Sequence, residues 1–379
     1  MKSFFVLASF AESLVGFRAP LIAALQQQGF HVHVGAPDLP VECPIRSKLE
    51  LAGITVHEVP MARNAINPLK DLKTILALCR LLAVVKPDFF LSYTAKPVIY
   101  GSIAAWVASV PHRIALITGL GQAFSSPSNR PTILERIVQQ LYRFSLRRVS
   151  LVFFQNPDDE MLFRKRGILA HKTPSAAVNG SGIDVHNFQT APIPDQPTFL
   201  LIARLIDGKG VRIYAEAARA VRDRYPHVRC LLVGWIDSSP NAITQQELDG
   251  WIHDGSVEYL GKLSDVRPAI AASSVFVLPS FYREGTPRTV LEALAMGRPI
   301  ITTDTPGCRE TVTDNRNGFL IPPRSLSALI EAMTKFVESP EIIKPMGHCS
   351  RLLAEEKYDV DKVNKSMLIA MNLIPKDTA

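Results

Sequence analysis

What most constrains the fold of this chain is an alternation that runs through it twice. Short, uniformly apolar runs (SFFVLAS, HVHVGAP, FFLSY, HRIALITG and LVFFQ) alternate with amphipathic stretches such as RAPLIAALQQQG and LKTILALCRLLAVVKP, whose apolar residues recur at helical spacing. Strands this apolar are covered on both faces, which implies a parallel sheet with helices on each side. The alternation breaks at NGSGIDVHNFQTAPIPDQP, rich in Gly, Pro, Asn and Asp, which reads as an interdomain hinge. It restarts through TFLLIARL, GVRIYAEAARAVRDRYP, RCLLVG, VEYLGKL, SVFVLPS, TVLEALAMG and PIITTD, and a helical stretch from about Ser325 closes the chain. A length of 379 residues also exceeds what one ordinary hydrophobic core organises. The expected architecture is α/β, with two doubly wound domains facing a central cleft. They span residues 1–190 and 191–360, and a helix over 361–379 packs back towards the first.

Composition narrows the function classes. With 47% hydrophobic, 20% charged and 8% aromatic residues, the chain is neither disordered nor of low complexity. The uncharged stretches Pro97 to Pro111, Ile114 to Asn129 and Pro268 to Tyr282 are interrupted by Pro, Ser or Gly and fall short of the roughly 18–20 apolar residues of a spanning helix. Lys2 and the run Phe4 to Ala8 read as a buried first strand rather than a signal peptide, because the run is short and reaches Glu12 without a cleavage site. Cys43, Cys79, Cys230, Cys308 and Cys349 are odd in number and scattered, which fits a reducing, cytoplasmic setting.

The net charge of +7 is concentrated in the first half. Residues 1–193 hold 20 Lys and Arg against 12 Asp and Glu, and the remainder 22 against 23. Within that half, RPTILERIVQQLYRFSLRR sets Arg130, Arg136, Arg143, Arg147 and Arg148 against Glu135 alone, interleaved with apolar residues. The pattern is a basic amphipathic helix, either a solvated face over a core or a site for an anionic partner such as a membrane surface. Nucleic acid is disfavoured, since no recognition motif accompanies the charge.

Two segments carry candidate chemistry. In ARLIDGKG a strand ends in Arg204 and a Gly-bracketed turn presents Lys209 just before a helix begins. Backbone donors, a helix dipole and two cations together suit a diphosphate, although the segment is not a P-loop. In LPSFYREGTPRTVLEALAMGRP, Pro287 marks a helix start, placing Glu284 in the preceding loop and Glu292 two turns into the helix. Amides around Arg288 and Thr289 would point at an anion, while the Glu292 carboxylate suits a ribose diol.

Here the chain resembles glycosyltransferase family 4, retaining nucleotide-sugar transferases of GT-B fold with two Rossmann-like domains. Within that family it is similar to the bacterial enzymes of capsule, O-antigen and N-glycan synthesis. The resemblance spans nearly the whole chain: besides ARLIDGKG and EGTPRTVLEA it includes the leading strand with its Gly16 loop, LSYTAKPVIYGSIAA, ALITGLGQAF, VNGSGID, LLVG and VEYLGKLSDV, in the family's order. It implies that Arg204 and Lys209 hold the donor diphosphate and that Glu284, with Gly285, Thr286, Pro287, Arg288 and Thr289 around it, holds the donor sugar. It also implies that Glu292 holds the ribose, that Lys262 and Leu263 after Gly261 border the base, and that Gly16 and Gly234 line the donor. Arg204, Lys209 and Glu284 are the implied catalytic residues, acting without a metal or other cofactor by front-face attack in which the leaving phosphate takes the acceptor proton.

Two features depart from that pattern. Asp359-Val360-Asp361 has the spacing of a metal–nucleotide motif of the other glycosyltransferase fold, but it precedes the final helix, where capping accounts for aspartates. Many family members place a histidine near the reacting sugar, whereas here the corresponding segment holds Thr94, Ala95 and Lys96. Thr94 and Lys96 are expected on the acceptor side, with Lys96 either contacting an acceptor phosphate or the leaving group or standing as a solvated loop residue. The expected function is transfer of a sugar, an N-acetylhexosamine from a UDP donor, to a polyprenyl-diphosphate-linked glycan, with peripheral attachment to the inner face of the cytoplasmic membrane. The alternatives are a nucleotide-sugar 2-epimerase of the same fold and a non-catalytic nucleotide-sugar-binding subunit of a polysaccharide complex.

Overall fold

A computed structural model of the chain describes residues 1–62, 67–120, 124 and 132–376. It divides into two compact units, one made of Met1–Ser181 with Val363–Ala379, the other of Gly182–Lys362.

Unit 1 holds strands β1 (Ser3–Leu7), β2 (His31–Ala36), β3 (Thr55–Glu58), β4 (Phe89–Tyr93), β5 (His112–Ile117), β6 (Leu151–Phe154) and β7 (Ser175–Ala177). They form one sheet in the order β3-β2-β1-β4-β5-β6-β7. All its pairings are parallel, with Phe4 beside Val32 on one side and Phe89 on the other. Successive β1 residues supply opposite faces: Phe4 and Val6 enter one apolar cluster, Phe5 and Leu7 another. Both clusters are buried because helices cover both faces, which is why the strands β1, β4 and β6 carry almost no polar residues. The terminal helix Val360–Ala370 brings Val363, Met367 and Leu368 into the first of those clusters.

Unit 2 holds β8 (Thr198–Ile202), β9 (Arg229–Val233), β10 (Glu258–Tyr259), β11 (Val275–Leu278), β12 (Ile300–Thr303) and β13 (Gly318–Ile321). Their order is β10-β9-β8-β11-β12-β13, again all parallel. In both units the chain builds outward from a central strand, returns, and builds the other way. The reversals lie between β1 and β4 and between β8 and β11, and at such a point the loops diverge and leave a crevice at the strands' carboxyl ends.

From Ile183 on, the segment read as an interdomain hinge is tied to unit 2. Ile183 and the Tyr358–Val360 backbone exchange hydrogen bonds of 2.7 and 3.0 Å. Arg298, wholly buried, donates to the carbonyls of Ala191, Pro192, Ile270 and Ala271 at 2.8–3.1 Å. The chain crosses between units at 181/182 and again at 362/363. Among the described residues no helix is long and apolar enough to cross a membrane.

Candidate active site

The loops after β8 and β11, on either side of the unit 2 reversal, are bonded to each other. The Gly208 carbonyl accepts from the amides of Phe281 and Tyr282 at 3.0 and 3.1 Å. Gly210, at φ +75°, lets the helix Val211–Arg224 begin against β11, since a Cβ there would stand 2.2 Å from the Pro279 carbonyl oxygen.

That contact brings Lys209 to Glu284. Its Nζ donates to Glu284 Oε1 at 2.5 Å, and Ser280 Oγ donates to the same oxygen at 2.8 Å. Glu284's backbone is backed by the loop after β12, where Gly307, at φ +85°, would place a Cβ 1.9 Å from the Gly285 carbonyl oxygen. Thr303 Oγ1 donates to the Ser280 carbonyl, fixing the β11 loop from the same side.

Arg204 follows β8 and is held by Asp237, Nη1 to Oδ2 at 2.7 Å, in the loop after β9. Asp237 is oriented in turn by the Ser239 amide on Oδ1. Gly234 donates to the Gly261 carbonyl and accepts from the Tyr259 hydroxyl, both at 2.9 Å, and Lys262 lies 5.0 Å from the centre of the exposed Trp235 ring. Leu263 packs on the apolar cluster beneath.

The helix Arg288–Ala295 begins at Pro287 with no side-chain cap, consistent with a first turn suited to anions. Its Arg288 side chain folds back, Nε to Glu292 Oε1 at 3.0 Å and Nη1 to the Gly182 carbonyl at 2.7 Å. Burial raises the Glu292 carboxyl above its ordinary value, and the Arg288 guanidinium opposes the shift. Of the sequence candidates, the structure therefore joins Lys209 with Glu284 and Arg288 with Glu292. Asp237, Trp235 and Ser280 were not among them. They could have been found by searching the ends of all the parallel strands.

In unit 1 the structure corrects the expectation for Gly16 and excludes one of the alternatives for Lys96. Gly16 is the last residue of the short helix Glu12–Gly16 rather than part of a loop. Lys96 is not a solvated loop residue: its ammonium pairs with Asp71 of the helix Pro68–Val85 at 2.9 Å, with little exposure on either side chain. Tyr100 bonds to the same Asp71, and burial together with that carboxylate raises its hydroxyl. Thr94, after β4, takes φ +68° and buries its hydroxyl. Asp359 accepts the amides of Asp361 and Lys362 at 2.9 and 3.2 Å, acting as a cap for the terminal helix. Among the described residues no group of three His, Cys, Asp or Glu side chains is arranged to hold a metal ion.

Unit 2 thus gathers three cation–carboxylate pairs, Arg204–Asp237, Lys209–Glu284 and Arg288–Glu292, and an uncapped helix start around its strand reversal. Residues 6–156 match the family described as Glycosyl transferase 4-like, and residues 196–339 match Glycosyl transferases group 1. The chain belongs to these glycosyltransferases and is a hexosyltransferase. Among its relatives is the Campylobacter jejuni N,N'-diacetylbacillosaminyl-diphospho-undecaprenol alpha-1,3-N-acetylgalactosaminyltransferase, 28% identical over 344 residues, 87% of this chain and 88% of that one. Another is the Escherichia coli UDP-Gal:alpha-D-GlcNAc-diphosphoundecaprenol alpha-1,3-galactosyltransferase, 25% identical over 81% of each chain. Anabaena Alr3699/HepE, solved in complex with UDP, shares the fold at TM-score 0.76 and 19% identity over 99% of this chain and 100% of that one. Sucrose-phosphate synthase from Thermosynechococcus elongatus does so at TM-score 0.78 and 17% identity, with 97% of each covered. The fold is GT-B.

Proposed function

We propose that the protein transfers an N-acetylhexosamine from a UDP-sugar to a polyprenyl-diphosphate-linked glycan, with retention at the anomeric carbon and without a metal. The observation that carries the reading is the bonded trio Lys209, Glu284 and Ser280 across the β8/β11 reversal, with Arg204 on the same loop as Lys209. Lys209 and Arg204 neutralise charge as the bond from C1 to the diphosphate oxygen breaks. The acceptor oxygen bonds to C1 on the same face, and its proton passes to the departing diphosphate. The protein supplies fixed positive charge where negative charge develops, which needs no reorganisation during the step. Glu284 accepts hydrogen bonds from Lys209 and Ser280, an arrangement suited to orienting a sugar hydroxyl rather than attacking carbon.

The choice of sugar and of lipid-linked acceptor follows the names of the C. jejuni and E. coli relatives, and the choice of UDP follows the E. coli relative and the Anabaena complex. A polyprenyl-linked acceptor places the enzyme peripherally on the inner face of the cytoplasmic membrane, with Lys96 and Thr94 of unit 1 on the acceptor side. Arg204→Ala should cut turnover by about a hundredfold with the melting temperature little changed. Activity equal to the parent's would remove Arg204 from the site.

A further inference from the structure

The helix Ile133–Leu146 of unit 1 is apolar on two sides, with Val138, Leu141, Tyr142 and Leu146 packed on the core and Ile133, Ile137 and Phe144 exposed. Its inward face buries Glu135 and Ser145 beside Tyr142 and Leu146. Glu135 is consumed locally, accepting from the Thr132 amide at 2.7 Å in a reciprocal cap. The outward seam, at spacings of four, three and four, reads Ile133, Ile137, Gln140 and Phe144, and its three apolar members are 79%, 52% and 46% exposed. Beside Phe144 stands Trp106 of the helix Ser102–Val107, with ring planes perpendicular and centroids 6.5 Å apart, and Val107 is exposed next to it. Core packing does not account for this face.

The basic residues divide into two groups. Arg143 is used within the fold, donating to the carbonyls of Arg166 and Gly167 at 2.8 Å. Arg148 lies 4.2 Å over the Trp106 ring and stiffens the aromatic pair. Arg136 and Arg147 are exposed and flank the seam, while Arg130 lies outside the described residues.

We infer that this face is a shallow anchor for an anionic lipid surface, in which Ile133, Ile137, Phe144 and Trp106 enter the headgroup boundary and Arg136 and Arg147 meet the lipid phosphates. This deepens the membrane assignment made above and rests on it. An apolar strip of this kind lies in the interface plane, with aromatic rings at headgroup level. Charge decides against a second copy as occupant: a two-fold interface sets the same patch against itself, bringing Arg136 and Arg147 together with no exposed carboxylate on the helix to offset them. The anchor is therefore largely apolar, with two arginines beside it.

The test is partitioning of the full-length protein onto phosphatidylcholine vesicles carrying increasing phosphatidylglycerol, without acceptor, at low and high salt. The parent should bind with rising phosphatidylglycerol and retain part of its binding at high salt. Replacing Ile133, Ile137 and Phe144 together by Ser should lower partitioning at least about tenfold at both salts. Arg136→Gln with Arg147→Gln should remove only the salt-sensitive part. Circular dichroism and melting confirm that the variants fold, as expected for exposed positions. Turnover on a short soluble acceptor is followed in parallel. Vesicle binding by a parent that transfers no sugar would remove the catalytic reading and leave the anchor standing. Equal partitioning of parent and Ser variant would overturn the anchor, as would a parent dimer in sedimentation that only the Ser variant dissociates.

Discussion

Replacing Lys209 with Met keeps much of the stem and deletes the ammonium that Glu284 faces. The two side chains are 15% and 12% exposed and meet at 2.5 Å, so the change leaves a carboxylate in a largely buried place with a neutral hydroxyl, Ser280 Oγ, where a cation had been. Removing one partner of a buried pair costs about 3–5 kcal/mol, and the remaining solvent contact brings the expectation down to about 2–3 kcal/mol. For a unit of this size that is a fall in melting temperature of about 4–12 °C. Glu284→Gln in the Lys209→Met background removes the stranded charge, so the double variant should recover a good part of the loss, with a coupling energy of about 1–3 kcal/mol. Calorimetry of the four proteins without donor measures the cycle, and turnover measured alongside should drop about a hundredfold or more in Lys209→Met. Strictly additive losses, or a Lys209→Met protein that melts with the parent, would show that the pair is not coupled and that Glu284 is held by other means.

Three further perturbations probe the surrounding structure. Gly307→Ala forces a Cβ towards the carbonyl oxygens of Gly285 and Glu284 at a left-handed backbone position, so turnover should fall more steeply than melting temperature; a stable, fully active variant would contradict the role given to this loop. Glu292→Gln should raise KM for the donor several-fold with kcat nearly kept, as for a contact made equally in ground and transition states, and a loss confined to kcat would argue against a ribose contact. Burial and the neighbouring His57 and His31 rings bring the pKa of His33 down from 6.5 to about 4. The unfolded chain binds that proton below about pH 6.5 and the folded one does so only near pH 4, so the protein should lose stability as pH falls through this window, and His33→Gln should flatten that limb of the melting-temperature profile.

Legibility from sequence followed burial. Strands covered on both faces, such as Phe4–Leu7 and Val275–Leu278, are uniformly apolar and announce themselves. The strand β3 is TVHE at a sheet edge, where His57 bonds to His33 Nδ1 of the next strand at 3.0 Å and Thr55 to His31, so its polar residues disguised it. Lys209 and Glu284 were legible as candidates because each follows an apolar strand at a loop–helix junction, but their contact depends on adjacency of β8 and β11, which only the strand order discloses. Asp237 is a single carboxylate in a loop, and nothing in its own segment pairs it with Arg204. The helix over 133–146 was legible as basic and amphipathic, yet the side that faces outward was not. The reason is that its buried face carries Glu135 and Ser145.

The most direct test of the central claim is acceptor-dependent release of UDP by the purified protein, given a panel of UDP-sugars and a short-chain polyprenyl-diphosphate glycan, with chelator present and the product's anomeric configuration read by NMR. The expected result is transfer from a UDP-N-acetylhexosamine, undiminished by chelator, giving the same anomeric configuration as the donor. It is contradicted if the protein binds the donor but releases UDP at the same rate with and without acceptor, or if the product is inverted.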